Sequence, residues 1–314
     1  MGDIERIERR LKLHDLRVLM SVVQTGSMHK AAERLATSQP AVSRAIGDLE
    51  HALGVRLLDR GPTGVEPTQY GRAIIKRGMA AFDELKQGVK DIEFLADPAA
   101  GELRIGCNEN AAVGPVFAVI DRLTQQHPRM VFDIVTGSLP NLCRDLAERR
   151  VELVVLRVVD ALVEENMIIE KLLDEKYVVV AANQNPWTRR RRIDLADLVD
   201  EPWTLPSSDT AVGAFALDAF RARGLKPPRA TVITLSMNLR NKLLATGRFL
   251  TIISDFILKF PRRHSLLKAL PVELANARGT VAIITLKDRT LSPPAELFIK
   301  TARTIVSAST RVER

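Results

Sequence analysis

Cysteine, long apolar runs and catalytic signatures are the scarce things in this chain, and each scarcity excludes something. Two cysteines, Cys107 and Cys143, are too few for a disulfide framework, so a reducing compartment and a cytoplasmic location are expected. No uninterrupted apolar run approaches the ~18 residues that a membrane span needs. The opening stretch Met1-Gly2-Asp3-Ile4-Glu5-Arg6 alternates in charge and has no apolar segment of the kind a secretory signal carries. G-x-S-x-G, Walker A and H-E-x-x-H are all missing, and the two cysteines and five histidines lack metal-ligand spacing. Ser27-Met28-His29-Lys30 fits S-x-x-K, but its S-D-N and K-T-G companions are absent and a helix cap accounts for Ser27. No catalytic residue, no metal and no cofactor is expected.

What is present points to a folded protein of two or three domains. The 314 residues are 46% hydrophobic and 27% charged, enough apolar material for a core. The net charge of +8 favours polyanionic partners such as nucleic acid. Between residues 34 and 77, however, seven basic side chains face four acidic ones, so placement rather than net charge must carry the case. Asp97-Pro98-Ala99-Ala100-Gly101 ends a long helical pattern. The expected divisions are residues 1–67, a linker helix over 68–97, and 98–314.

Leu13, Leu16, Leu19, Met20 and Val23 predict an amphipathic helix that stops at Thr25-Gly26. Ser27 caps a second helix, Met28 to Leu35, whose Ala31 and Ala32 permit a close crossing. After Ala36-Thr37, Ser38 caps a third helix with Pro40 in its first turn and Val42, Ile46, Leu49 and Leu53 on its buried stripe. Two short helices joined by a tight turn make a helix-turn-helix. Gln39, Ser43 and Arg44 lie off the stripe at the end that enters a major groove in this motif, and these residue types can hydrogen-bond base edges.

The run from Ala31 to Ile46, followed by Leu49-Glu50, Leu53-Gly54, Leu57-Leu58-Asp59-Arg60, Thr68 and Gly71, closely resembles the winged helix-turn-helix of LysR-type transcriptional regulators. The resemblance implies that Gln39, Pro40, Ser43 and Arg44, with Ser38 at the leading edge, face the groove, and that Arg60 contacts a phosphate or the minor groove beside a wing at Gly61-Pro62-Thr63-Gly64-Val65. Leu58 stands where the family commonly has Phe, a change expected to alter packing beneath the wing. Thr68 caps a helix running to about Ala96, in which Ile75, Phe82 and Val89 recur every seven residues, with Leu85 and Ile92 interleaved and Gly78 the weak member. The resemblance favours pairing of two chains through this helix, as a homodimer and beyond it a homotetramer.

Downstream, Glu102 to Cys107, Val131 to Val135, Val151 to Val155, Tyr177 to Ala182, Ala230 to Leu235, Phe249 to Ser254 and Val281 to Leu286 read as strands, and Val116 to Gln126, Leu139 to Arg149 and Pro294 to Ser307 as helices. The expected fold class is α/β: an all-α winged helix-turn-helix domain, a long linker helix, and a two-lobed effector domain resembling periplasmic binding proteins. Ligands of such sheets bind beyond the carboxyl ends of strands. Asn108, Glu109 and Asn110 follow the first strand, Thr136, Gly137 and Ser138 the second, and Ser207 and Ser208 a later one. Gly247 and Phe249 resemble the family's glycine turn, and Asn110 matches the Ser or Thr often found at the effector. Glu109 would oppose a bare carboxylate unless it faces outward. Cys107 reads as a packed thiol before a redox sensor, and Arg189 to Arg192 as a solvated loop.

These features make the expected function a ligand-responsive DNA-binding regulator that reads a dyad-symmetric promoter. Its partners would be double-stranded DNA, a small organic acid or sugar as effector, and RNA polymerase, with no membrane contact. The rival, an enzyme or transport-type binding protein with a helical dimerisation segment, would need a convergent catalytic set that the sequence lacks.

Overall fold

The computed structural model describes residues 10–61, 64–158, 166–229, 232–259, 266–275 and 277–311. The chain falls into two compact units that divide at Gly88/Val89.

In the first unit, α1 (Leu13–Thr25) ends where Gly26 turns left-handed at φ +67°, a conformation glycine adopts without cost. The Ser27 hydroxyl accepts from the Lys30 amide at the start of α2 (Met28–Arg34). Ser38 does the same for Ala41 at the start of α3 (Gln39–Leu53). Leu16, Leu19, Val22, Ala31, Val42, Ile46 and Leu49 are buried together, each large aliphatic contributing ~1.5–3 kcal/mol. Leu58 joins this core and opens β1 (Leu58–Gly61), which pairs antiparallel with β2 (Gly64–Pro67). Pro62 and Thr63, at the tip of the expected wing, lie outside the described residues. The second strand of the hairpin is tied to the end of α1, because the Val65 amide donates to the Gly26 carbonyl at 3.1 Å. The helix α4 (Gln69–Ala96) then begins at Thr68, whose hydroxyl donates to the Arg56 carbonyl and accepts from the Gly71 amide.

The second unit is built on one seven-stranded sheet in which Leu267–Ala269, Met167–Ala182, Arg278–Leu286, Leu153–Val158, Ala100–Cys107 and Arg129–Thr136 lie in that order, with Leu250–Ser254 also paired to Met167–Ala182. Its first lobe contains β3 (Ala100–Cys107), a short turn of helix at Glu109–Ala111, a π-turn at Ala112–Val116, and α5 (Phe117–Gln126). These are followed by β4 (Arg129–Thr136), α6 (Leu139–Ala147) and β5 (Leu153–Val158). β3 is parallel to both β4 and β5. Leu153 and Val155 face one apolar cluster while Val154 and Leu156 face another, which is why that strand reads as a continuous apolar run.

The expected strand Tyr177 to Ala182 is the last part of a 16-residue strand, β6 (Met167–Ala182). Its first half, Met167 to Lys176, carries Glu170, Lys171, Asp174, Glu175 and Lys176, and that charge hid it from an apolar reading. The second lobe continues through β7 (Thr204–Leu205), α7 (Ala211–Arg221), β8 (Val232–Ile233), α8 (Met237–Ala245), β9 (Leu250–Ser254) and β10 (Leu267–Ala269). The chain returns to the first lobe with β11 (Arg278–Leu286) and α9 (Pro293–Arg311). Only Val232–Ile233 of the expected strand Ala230 to Leu235 is extended and paired; residues 230 and 231 lie outside the described residues. β6 links the lobes, pairing with β11 up to Lys176 and with β9 from Tyr177. The second lobe packs around Trp203 and Phe220, whose rings meet edge to face at 5.6 Å.

Candidate nucleic-acid interface and effector site

The exposed end of α3 is set by its buried face. Val42, Ala45, Ile46 and Leu49 are buried, and this forces Ser38, Gln39, Pro40 and Arg44 outward, with Ser43 half-buried between them. Glu50, on the same helix, turns inward: its Oε1 accepts from the Leu57 amide at 2.7 Å and the Leu58 amide at 3.3 Å. That carboxylate holds the entry to the hairpin on which Arg60 stands exposed, opposite Val65. The residues expected to face the groove and Arg60 therefore hang on one small scaffold. The anchoring role of Glu50 is not legible in the sequence motif, since its partners are backbone amides.

The expected effector residues fall into two groups. At the carboxyl ends of β3 and β4, the Gly137 amide donates to the Cys107 carbonyl at 3.1 Å, bringing both loops side by side. Asn108 is committed as a cap, accepting from Ala111 at 2.8 Å, while Asn110 is half-buried and Thr136 and Ser138 are exposed. Ser138 stands at the N-cap of α6 yet makes no side-chain cap bond. The second lobe holds the others. The Ser207 carbonyl accepts from the amide and hydroxyl of Thr210. Gly247, at φ +79°, accepts at its carbonyl from Asn185 Nδ2 at 2.8 Å. Phe249 is buried beneath Arg248, whose guanidinium lies 5.5 Å from the ring centroid.

Two buried charged groups have no strong local signal in the sequence. Arg240 of α8 is only 5% exposed, and its buried Nε has no hydrogen-bond partner. Burial lowers its pKa, and Glu109 opposes that shift by its negative charge. The signal available was a cation on the stripe shared with Met237 and Leu244, which are also buried. Glu175, at the end of the β6 pairing with β11, is the second. Its Oε2 accepts from the Ser254 hydroxyl at 2.5 Å and its Oε1 lies 3.3 Å from Arg157 Nη1. The Arg157 guanidinium also covers the Tyr177 ring at 4.3 Å. Burial raises the Glu175 carboxyl above its ordinary pKa, against the lowering from Ser254 and Arg157. Cys107 is fully buried, and burial first and Glu109 second push its thiol up to about 12. A thiol held neutral in this way is poorly suited to redox sensing.

With this geometry in place, comparison with known proteins is decisive. Residues 13–72 match the bacterial regulatory helix-turn-helix protein, lysR family, and residues 96–306 match the LysR substrate binding domain. The chain belongs to the LysR family. This regulator is 26% identical over 309 residues to the HTH-type transcriptional regulator GbpR of Azospirillum brasilense, covering 98% of this chain and 90% of that one. It is 26% identical over 297 residues to PcaQ of Agrobacterium fabrum, covering 95% and 96%. Its fold is similar to that of a full-length OxyR variant from Pseudomonas aeruginosa, with a TM-score of 0.63, 21% identity and 94% of each chain covered. Full-length CbnR complexed with its target DNA matches with a TM-score of 0.52 and 18% identity, over 94% of this chain and all of that one. The regulator is thus a DNA-binding transcription factor with a ligand-responsive domain, and its family consists of regulators rather than enzymes.

Proposed function

We propose that the leading turn of α3 reads base edges in the major groove through Gln39, Pro40, Ser43 and Arg44, with Ser38 at its edge and Arg60 reaching a phosphate or the minor groove from the hairpin. The observation that carries this reading is the division of α3 into a fully buried apolar stripe and an exposed, capped polar end. Two chains pair through α4, and the homodimer, doubled to a homotetramer, presents its reading heads to a dyad-symmetric promoter. A small organic acid or sugar binds at Asn108, Asn110, Thr136, Gly137 and Ser138, with Ser207, Gly247 and Phe249 contributed by the other lobe. Its binding shifts lobe closure and hence the spacing of the heads, no further cofactor taking part. The complex acts in the cytoplasm with RNA polymerase.

Arg44→Ala should weaken binding to a footprinted promoter by about 1–3 kcal/mol while leaving the fold intact. Equal affinities of mutant and parent, measured by gel shift on that promoter, would remove Arg44 from the contact set.

A further inference from the structure

Arg240 is placed as few structural arginines are. Met237, Arg240 and Leu244 form the buried side of α8, a stripe whose other two members are apolar. The guanidinium carries five donors in a rigid fork and does not deprotonate in proteins. Here Nη2 meets only the Met237 thioether, a weak acceptor, and Nε meets nothing. Glu109 stands at the end of β3 in the other lobe and attracts Arg240 electrostatically. The two form no direct ion pair among the described residues. A buried cation with empty donors is unfavourable, and a Met or Leu there would be more stable unless an anion completes the site.

We infer that Arg240 anchors the carboxylate of a small monocarboxylate effector and that Glu109 receives an amine or hydroxyl of the same molecule. The forked donors match a planar carboxylate. One cation facing one carboxylate leaves the site neutral, so a hydroxy or amino monocarboxylate fits it and the further charge of a polyanion such as phosphate finds no partner. The inference rests on the reading that the effector binds between the lobes, at the loops after β3 and β4.

The test is thermal denaturation of the full-length protein with lactate, alanine and salicylate, their primary amides, glucose and inorganic phosphate. At least one of the three acids should raise the Tm, and its amide and phosphate should not. Arg240→Met should abolish that shift and Arg240→Lys should weaken apparent affinity at least tenfold. Without ligand, Arg240→Met should melt at or above the parent, because an apolar side chain replaces an unsatisfied cation. Glu109→Gln should erase the preference for the hydroxy or amino acid over propionate or benzoate. A ligand-free Arg240→Met protein that melts several degrees lower, or a parent that responds to none of the acids, overturns the inference. Stabilisation by glucose of parent and Arg240→Met alike, lost in Asn110→Ala, overturns it too but leaves the interlobe site standing. An acid-induced shift indifferent to Arg240, Asn110 and Ser138 overturns both.

Discussion

Gly71 has no room for a side chain: a Cβ there would sit 2.1 Å from the Leu57 carbonyl oxygen. That oxygen is already fixed, since it accepts from the Thr68 amide, and Leu57 is itself held by Glu50. Gly71→Ala should therefore cost about 1–3 kcal/mol, read as a lower urea midpoint at unchanged m-value. An unchanged midpoint would show that the first turn of α4 can shift freely. Gly71 could be quoted from the sequence as part of a motif, but the reason for it could not, because the obstructing atom belongs to a residue fourteen positions earlier. The caps were different. Ser27, Ser38 and Thr68 act within three residues of themselves, so residue type and spacing sufficed to place them.

Among the elements, α4 shows most clearly how one periodic stripe can serve two purposes. Ile74, Ile75 and Phe82 pack against the helix-turn-helix core, whereas Leu85, Val89, Ile92 and Leu95 are exposed, from 54% to 79%. A heptad reading could find the seam but could not tell where the helix stops packing on its own unit. Under the proposed pairing, Val89→Glu with Ile92→Glu should leave helix content unchanged and shift sedimentation from dimer or tetramer toward monomer. Unaltered sedimentation at micromolar concentration would reject pairing through this stretch. The same scale explains what was missed in the sheet. β7, β8 and β10 have two or three residues each, too short for an alternating pattern, and the charged half of β6 carries no apolar run.

For the whole molecule, binding to DNA and the response to pH follow from charge placement. Affinity for a promoter fragment should fall linearly on a log–log plot of salt, because Lys and Arg displace condensed counterions from the duplex; a flat plot between about 50 and 200 mM salt would contradict phosphate contact. Acidity should act on folding in two opposite senses. Glu175 has a raised pKa, chiefly from burial, so its contribution to stability is complete below the ordinary carboxylate value of 4.5 and is lost as pH rises through the raised one. Glu170 has a lowered pKa, chiefly from the hydrogen bonds of Arg303 at 2.5 and 2.6 Å, so its contribution is present above the ordinary value and lost on acidification. Glu175→Gln should accordingly gain in Tm on the parent as pH rises from about 5 to 8. A difference that stays constant across that range would mean that the buried carboxyl does not titrate with folding.

Local order was written in the amino-acid sequence: the three capped helices, the polar leading edge of α3, the heptad stripe of α4 and the alternation of strands with helices all depend on residues a few positions apart. Folding in three dimensions decided the rest. It joined β6 to partners from both lobes, turned Glu50 inward and buried Glu175 beside Arg157. It also placed the buried Arg240 where the charge of Glu109 acts on it. Glu50 apart, whose partners are seven and eight positions on, these are meetings between residues distant along the chain, and no spacing rule encodes them, since they exist only once the lobes have packed.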